Sequence, residues 1–226
     1  MAQTYNIAID GPAGAGKSTI AKLTASELGF IYVDTGAMYR AMALFFLRQG
    51  IAREDEKAIE EACKEIEVSI RYEDGGQQVY LNGENVSALI RTEEVSNMTS
   101  ATSVYKPVRQ KLLKLQRRLA ATADVIMDGR DIGTCVLPDA QTKIYLTASS
   151  HVRAQRRYKE LLEKGETCNL EEIEQDIIER DYRDMHREIA PLKQAEDAVF
   201  LDSSQMTVRQ VVDEIKKAAG ERGLPG

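Results

Sequence analysis

Residues 11–18 read Gly11-Pro12-Ala13-Gly14-Ala15-Gly16-Lys17-Ser18, which matches the phosphate-binding pattern G-x-x-x-x-G-K-[ST] at every fixed position. The apolar run Asn6-Ile7-Ala8-Ile9 before it predicts a strand, and Ser18 to Leu23 has the spacing of a helix. Because strand, loop and helix follow in that order, successive backbone N–H groups can wrap a chain of phosphates. We therefore expect a nucleoside triphosphate at this loop, with Lys17 near the β- and γ-phosphates and Ser18 offering its hydroxyl to Mg²⁺. The alternative is a glycine-rich turn that only joins a strand to a helix.

Strand and helix signals alternate along most of the chain, which predicts an α/β fold with a parallel sheet flanked by helices. Three predicted strands end in Asp10, Asp34 and Asp128, so these carboxylates are expected near the sheet edge where ligands bind, although each also suits a helix cap or a turn. The predicted strands are Tyr5 to Asp10, Phe30 to Asp34, Val125 to Asp128, Lys143 to Thr147 and Ala198 to Asp202. The predicted helices are Lys17 to Leu28, Met38 to Gln49, Val108 to Ala121, Ser150 to Lys164, Leu170 to Glu188 and Thr207 to Ala219.

One stretch interrupts this alternation. After a charged helix ending near Glu65, residues 68–72 alternate with period two, Asp74-Gly75-Gly76 predicts a turn, and the alternation resumes over 79–81. Such a hairpin would disturb the order of a parallel sheet, so we place it in a separate inserted subdomain over residues 51–94. An inert decoration is the alternative. The predicted P-loop core then comprises 1–50, 95–150 and 165–226, with a helical lid at 151–164.

The composition narrows the class of protein. The chain has 226 residues, 43% of them hydrophobic, with a formal net charge of −6 and a pI near 5.2. An acidic surface argues against a nucleic acid polymer as partner, and no apolar stretch approaches the roughly 20 residues that span a bilayer. We expect a soluble, monomeric, cytoplasmic protein that binds no membrane. Cys63, Cys135 and Cys168 are scattered singly, which indicates reduced thiols, and the isolated His151 and His186 are assigned no role.

Two segments that follow predicted strands are rich in polar side chains. The first, residues 34–40, presents Tyr39 and Arg40 at a helix start. The Arg40 guanidinium either binds phosphate oxygens or only pairs with a nearby carboxylate. The second, Asp128-Gly129-Arg130-Asp131, is too dense in charge for a simple connection. It indicates an acidic group acting through water on Mg²⁺ and an arginine that neutralises a transferring phosphoryl group.

Two predicted helices carry further arginines. Arg153 and Arg157 share one face of the predicted lid, where they would meet a polyphosphate on closure. Arg180, Asp184 and Arg187 share a face at i, i+4 and i+7, which suits a clamp on a ribose and a phosphate. For both helices the alternative is a solvated surface of salt bridges.

These patterns favour a small-molecule kinase. The base-reading motif N-K-x-D of guanine-specific switches and the L-S-G-G-Q signature of ABC-type ATPases do not occur in the sequence. Several arginines beyond the loop are expected when two phosphorylated ligands must approach against their own repulsion. Two alternatives stay open at this point: a kinase for another acceptor, such as UMP or shikimate, and a nucleotide-dependent switch that hydrolyses ATP slowly.

The motifs, taken in order, resemble those of the bacterial cytidylate kinases. They are the phosphate loop with Ile9 and Asp10 before it, segment 34–40, Ile90-Arg91-Thr92, segment 128–134 and Glu179-Arg180-Asp181. The resemblance covers essentially the whole chain, and it is more specific at 128–131 and in the hairpin insertion than in the loop. It implies phosphoryl transfer from ATP to CMP or dCMP with Mg²⁺, in pyrimidine nucleotide metabolism, on a core, a monophosphate-binding domain and a lid.

The resemblance also implies roles for individual residues. It places Ser100, Arg109 and Asp131 at the cytosine, Arg40, Arg130 and Arg187 at the acceptor phosphate, and Tyr39, Arg180 and Asp184 at the ribose. Thr35, which is serine in some relatives, belongs to the same substrate site. In some relatives the position of Ser18 is glycine and is followed by a threonine that corresponds to Thr19. The resemblance therefore leaves open whether the hydroxyl of Ser18 or that of Thr19 contacts the metal. The implied catalytic residues are Lys17, Arg130, Arg153 and Arg157, and ATP would contact Gly11, Pro12, Ala13, Gly14, Ala15, Gly16, Lys17, Ser18 and Thr19.

Overall fold

A computed structural model describes residues 4–73 and 75–224, which fall into two compact units. The first unit takes in the described residues of Met1–Tyr32 and Ala123–Gly226, and the second those of Val33–Thr122. The strands are β1 (Asn6–Asp10), β2 (Ile31–Asp34), β3 (Val68–Glu73), β4 (Gly76–Leu81), β5 (Glu84–Asn85), β6 (Val125–Gly129), β7 (Thr142–Thr147) and β8 (Val199–Asp202). The helices are α1 (Lys17–Leu28), α2 (Thr35–Arg48), α3 (Glu56–Glu65), α4 (Glu93–Thr102), α5 (Lys106–Thr122), α6 (Ser150–Glu163), α7 (Leu170–His186) and α8 (Val208–Glu221).

The main sheet has five strands in the order β2-β6-β1-β7-β8. Strand β1 runs parallel to β6 on one side and β7 on the other, and β7 runs parallel to β8. The predicted α/β sheet is therefore confirmed. In this register Asp10, the last residue of β1, lies beside Gly129 on β6 and Tyr145 on β7. The loops that follow β1 and β6 therefore start next to each other at one edge of the sheet.

The core of the first unit forms where β1 meets α1 and α8. Ile7 and Ile9 of the central strand are fully buried, as are Val212 and Ile215 of α8. Helix α1 has the predicted bounds, and it is followed by Gly29 in the left-handed region, with φ of 70°. This glycine end explains the accurate prediction, because a left-handed C-cap is a strong sequence signal.

The second unit contains a three-stranded antiparallel sheet, β3-β4-β5, together with α2 to α5. The predicted hairpin is confirmed, with Val68 opposite Leu81, while the predicted turn at Asp74-Gly75-Gly76 starts at Asp74, outside the described residues. Asn82 and Gly83 link β4 to β5 with φ of 48° and 87°, as a two-residue hairpin turn requires.

Helix α4 was not predicted, because its sequence is rich in serine and threonine, which favour turns. A signal was present: Thr92 accepts a hydrogen bond from the Val95 N–H at 3.3 Å and so caps the helix. The predicted insertion, 51–94, lies within the second unit, and the predicted lid, 151–164, corresponds to α6 in the first. The closure of the lid stays a prediction. No helix in the described ranges has both the length and the apolar character needed to cross a membrane.

Candidate active site

The loop between β1 and α1 has a backbone that only glycine adopts easily. Gly11, Gly14 and Gly16 have φ of 152°, 75° and 85°. Gly11 also passes so close to β7 that a Cβ atom there would lie 1.9 Å from the Leu146 carbonyl oxygen. These glycines hold the loop at the sheet edge and leave its N–H groups at the start of α1, the arrangement that binds phosphates.

Lys17 is buried at the start of α1, and its Nζ donates to the Pro12 carbonyl oxygen at 2.7 Å. Burial and the positive charge of Arg130 lower the pKa of Lys17 to about 7, against the opposing effect of Asp128. An ammonium with a lowered pKa gains when an anion arrives, because negative charge nearby favours its protonated form. Lys17 is therefore prepared to interact with a phosphate chain.

Ser18 and Asp128 lie within hydrogen-bonding distance of each other. The Ser18 hydroxyl donates to Asp128 Oδ2 at 2.9 Å, and the Tyr32 hydroxyl donates to Asp128 Oδ1 at 2.9 Å. Mg²⁺ in nucleotide sites usually takes one or two oxygen ligands from the protein and others from phosphates and water. The Ser18 hydroxyl and the Asp128 carboxylate, paired as they are, fit that requirement.

Asp10 connects the strand before the phosphate loop to the segment after β6. Its two carboxylate oxygens accept hydrogen bonds of 2.7 Å from the backbone N–H groups of Ile132 and Gly133. Burial raises the pKa of Asp10 to about 6, although these two N–H groups act in the opposite direction. The bonds hold a single π-helical turn, Ile132–Val136, directly after Asp131.

Helix α7 brings two of its predicted residues to segment 128–131. The Arg130 Nε donates to Asp184 Oδ2 at 2.9 Å, and Arg187 Nη2 lies 3.4 Å from Asp131 Oδ1. Burial raises the pKa of Asp184, but Arg130 and Arg187 overcome that effect and hold it below its usual range. Arg187 is the residue after the last turn of α7, where its Nε donates to the Ala190 carbonyl oxygen at 2.7 Å. The predicted charged face is thus turned toward the site, and Arg180 is a half-buried member of it.

The two arginines predicted on the lid differ in their surroundings. Arg153 is buried, and its guanidinium donates to the Ala13 carbonyl oxygen at 3.0 Å and to Asp181 Oδ2 at 2.6 Å. Arg157 is exposed, and its guanidinium lies 3.4 Å from the Glu160 carboxylate. Only Arg153 touches the phosphate loop directly.

The second unit carries the other predicted substrate residues, at the start of α2 and on α4 and α5. Asp34 caps α2 by accepting from the Ala37 N–H at 2.8 Å, and it forms an ion pair with Arg40 at 3.2 Å. Arg40 thus pairs with a carboxylate, and its contact with a phosphate stays a prediction. Thr35 is buried and Tyr39 half-buried at the same helix start, while Ser100 lies on α4 and Arg109 on α5, both half-buried.

Three residues shape the site through contacts that the sequence did not predict. Tyr32 and Asp181 hold Asp128 and Arg153, and Asp10 holds the π-helical turn. For Tyr32 a signal was available, because a tyrosine in a buried strand needs a hydrogen-bond partner. For Asp181 there was none, because Arg153 is 28 residues away in sequence.

The glycine loop, the lysine and the parallel sheet define a P-loop nucleotide-binding protein. The family model for cytidylate kinase matches residues 7–221. The chain therefore belongs to the cytidylate kinase family.

Curated relatives agree with this assignment. The cytidylate kinase of Lactobacillus gasseri is 51% identical over 211 residues, which is 93% of this chain and 92% of the relative. That of Citrifermentans bemidjiense is 49% identical, covering 97% and 94%, and that of Ligilactobacillus salivarius is 47% identical, covering 98% and 99%.

Solved structures with low sequence identity support the fold alone. An uncharacterized protein from Eubacterium ventriosum has a TM-score of 0.54 at 11% identity, covering 95% of this chain and 97% of the other. A gluconokinase from Sinorhizobium meliloti has a TM-score of 0.50 at 14% identity, covering 98% and 95%.

Proposed function

We propose that this protein transfers a phosphoryl group from ATP to CMP or dCMP, giving ADP and CDP or dCDP. The observation that carries the proposal is the arrangement at the carboxyl edge of the sheet, where the Lys17 loop and the Arg130-Asp131 segment start side by side. One segment suits a triphosphate and the other a second anionic ligand. The names of the curated relatives, which are cytidylate kinases, support CMP as that ligand.

The donor nucleotide is assigned to the loop at residues 11–19. Backbone N–H groups at the start of α1 would hold its phosphates, and Lys17 would neutralise charge that develops on the transferring group. Arg153 borders the loop through Ala13, which supports a role for its guanidinium beside Lys17. Arg157 is assigned to the same role on α6.

The acceptor is assigned to residues of each unit. Within the first unit, Arg130 and Arg187 would hold the phosphate of CMP, Asp131 its base, and Arg180 and Asp184 its ribose. Within the second unit, Arg40 is assigned to the phosphate, Tyr39 and Thr35 to the ribose side, and Ser100 and Arg109 to the cytosine. The ion pairs of Arg130, Arg187 and Arg40 support these assignments, because they hold each guanidinium in a defined position.

The proposed reaction needs positioning and charge neutralisation rather than a strong base. The attacking phosphate oxygen of CMP is an anion at neutral pH, because the second pKa of a phosphate monoester is about 6. Mg²⁺, with Ser18 and Asp128 beside it, would add positive charge at the β- and γ-phosphates. The protein groups would bring two anions together in line and keep water away from them.

The proposal is tested by incubating the protein with ATP and Mg²⁺ and a panel of acceptors: CMP, dCMP, UMP, AMP and shikimate. We expect ADP to form only when CMP or dCMP is present, and Lys17→Met to abolish that formation. ADP formation with shikimate or UMP alone would assign another acceptor, and strong hydrolysis without acceptor would favour a nucleotide-dependent switch. We further expect a monomer on size-exclusion chromatography and a cytoplasmic location in cell fractionation.

A further inference from the structure

The side chain of Gln77, on β4 of the inserted hairpin, contacts Asp34, the residue before α2. The backbone N–H of Asp34 donates to Gln77 Oε1 at 2.9 Å, and Gln77 Nε2 donates to the Asp34 carbonyl oxygen at 3.2 Å. Both peptide groups of Asp34 that face the hairpin are thereby bonded to one amide. The two residues are 43 positions apart in sequence, so this contact is tertiary.

The chemistry of this contact is specific for an amide side chain. Glutamine presents one acceptor oxygen and an NH₂ donor, which match a backbone N–H and carbonyl in the way a neighbouring strand would. Asp34 is the last residue of β2, and β2 is an outer strand of the five-stranded sheet. Gln77 therefore supplies to this outer strand the bonds that a further strand would otherwise make.

The side chain of Asp34 in turn contacts Arg40. Asp34 Oδ1 accepts from the Ala37 N–H at 2.8 Å, and Asp34 Oδ2 pairs with Arg40 Nη2 at 3.2 Å. Gly36 leaves room for this pair, because a Cβ atom there would lie 3.0 Å from Arg40 Nη1 and 3.2 Å from Asp34 Oδ1. Gln77 holds the main chain of Asp34, and Asp34 in turn holds Arg40.

We infer that Gln77 is a positioning residue for Arg40 and that the inserted hairpin thereby sets the affinity for the acceptor nucleotide. This inference rests on the proposed function, in which Arg40 contacts the acceptor phosphate. The hairpin is also attached by packing, since Val79 and Leu81 of β4 are buried, and that attachment does not depend on Gln77. Altering the amide should therefore change the orientation of Arg40 while the hairpin stays folded.

The decisive variant is Gln77→Glu, which keeps the shape of the side chain but replaces its donor with an acceptor facing the Asp34 carbonyl. We expect a three- to ten-fold increase in KM for CMP, as for the loss of one or two hydrogen bonds, and less than a two-fold change in KM for ATP. Gln77→Ala should act in the same direction. The matched control is Gln78→Glu, the next residue of β4, whose amide bonds only to the exposed Asn85 among the contacts described.

A readout that needs no catalysis accompanies the kinetics. Hydrogen exchange at the Asp34 amide should accelerate in Gln77→Ala but not in Gln78→Glu, because only Gln77→Ala removes the oxygen that accepts from the Asp34 N–H. Gln77→Glu keeps an acceptor for this N–H and loses only the donor to the Asp34 carbonyl oxygen. Unchanged KM for CMP in both Gln77 variants would overturn the inference, and so would equal increases in KM for CMP and ATP. A wild-type protein that does not phosphorylate CMP would overturn the proposed function instead, whatever the exchange rates.

Discussion

Arg153 and Asp181 form an ion pair in which Nη2 and Oδ2 are 2.6 Å apart and both side chains are largely buried. The same guanidinium donates to the Ala13 carbonyl oxygen at 3.0 Å and to the Ala148 carbonyl oxygen at 2.8 Å. Arg153 thus ties α6 and α7 to the phosphate loop. Arg153 therefore stabilises the fold, in addition to the role proposed for it in phosphoryl transfer.

Arg153→Gln should therefore lower the free energy of unfolding by about 3–5 kcal/mol, because it leaves the Asp181 carboxylate buried without its partner. Arg157→Gln, four residues on, should change it by less than ~0.5 kcal/mol, since Arg157 is exposed. Urea denaturation of both variants measures the difference. Equal stabilities would show that the Arg153 pair adds nothing to the fold.

Lys17 should make stability depend on pH. Its pKa is about 7 in the folded protein and 10.5 ordinarily, so between these values the unfolded chain binds more protons. The stability that Lys17 contributes is then present at high pH and is lost as the pH falls through 7. Comparing urea unfolding of the wild type and Lys17→Met isolates this group, because other groups titrate in both. We expect the free energy of unfolding of the wild type to increase relative to that of Lys17→Met between pH 7 and pH 9.5. A difference in unfolding free energy that stays constant over this range would contradict the lowered pKa.

Replacing Asp131 should affect acceptor binding more than donor binding. Asp131→Ala should raise KM for CMP by about 10- to 100-fold, as for the loss of hydrogen bonds to a charged group, and change KM for ATP much less. Asp139→Ala is the control, because Asp139 is an exposed aspartate of the following loop. Equal effects of Asp131→Ala on both KM values would move Asp131 from the cytosine to the metal or the donor.

Tyr32 should influence the response to Mg²⁺ through Asp128. Tyr32→Phe removes only the hydroxyl that donates to Asp128 Oδ1, and loss of such a supporting bond weakens metal binding by about 10-fold or more. Two readouts apply: the Mg²⁺ concentration at half-maximal rate, and the change that Mg²⁺ makes to ADP affinity in calorimetry. Tyr5→Phe is the control, since the Tyr5 hydroxyl also bonds within the first unit, to the Ala219 carbonyl oxygen at 2.9 Å. A similar Mg²⁺ response in both variants would exclude this role for Tyr32.

Local signals in the sequence were sufficient for much of the fold. Helix α1 was predicted with its observed bounds because a glycine loop precedes it and a left-handed glycine follows it. The hairpin was predicted because alternation of apolar residues specifies β3 and β4 directly. Helix α4 escaped prediction because the hydroxyls of Thr99 and Thr102 bond back to carbonyl oxygens of the preceding turn, a contact that composition does not reveal.

The site was predictable where one short segment contains the chemistry, as in residues 11–18 and 128–131. It was not predictable where two distant residues share a bond. The pairing of Gln77 with Asp34 and the pairing of Arg153 with Asp181 depend on the tertiary fold, and no spacing rule relates their positions. The roles of Ser100 and Arg109 came from family resemblance alone and stay predictions.

Each guanidinium assigned to the acceptor phosphate already lies against a carboxylate. Arg130 is 2.9 Å from Asp184, Arg187 is 3.4 Å from Asp131, and Arg40 is 3.2 Å from Asp34. An anion that binds any of these three arginines must compete with a carboxylate of the protein that is already in place. Chloride or bicarbonate, with a single charge, would gain little from that exchange, whereas a doubly charged phosphate would gain at several oxygens. The site should therefore select anions by charge. Monovalent anions such as chloride should not displace the carboxylates from these arginines, whereas phosphate esters should.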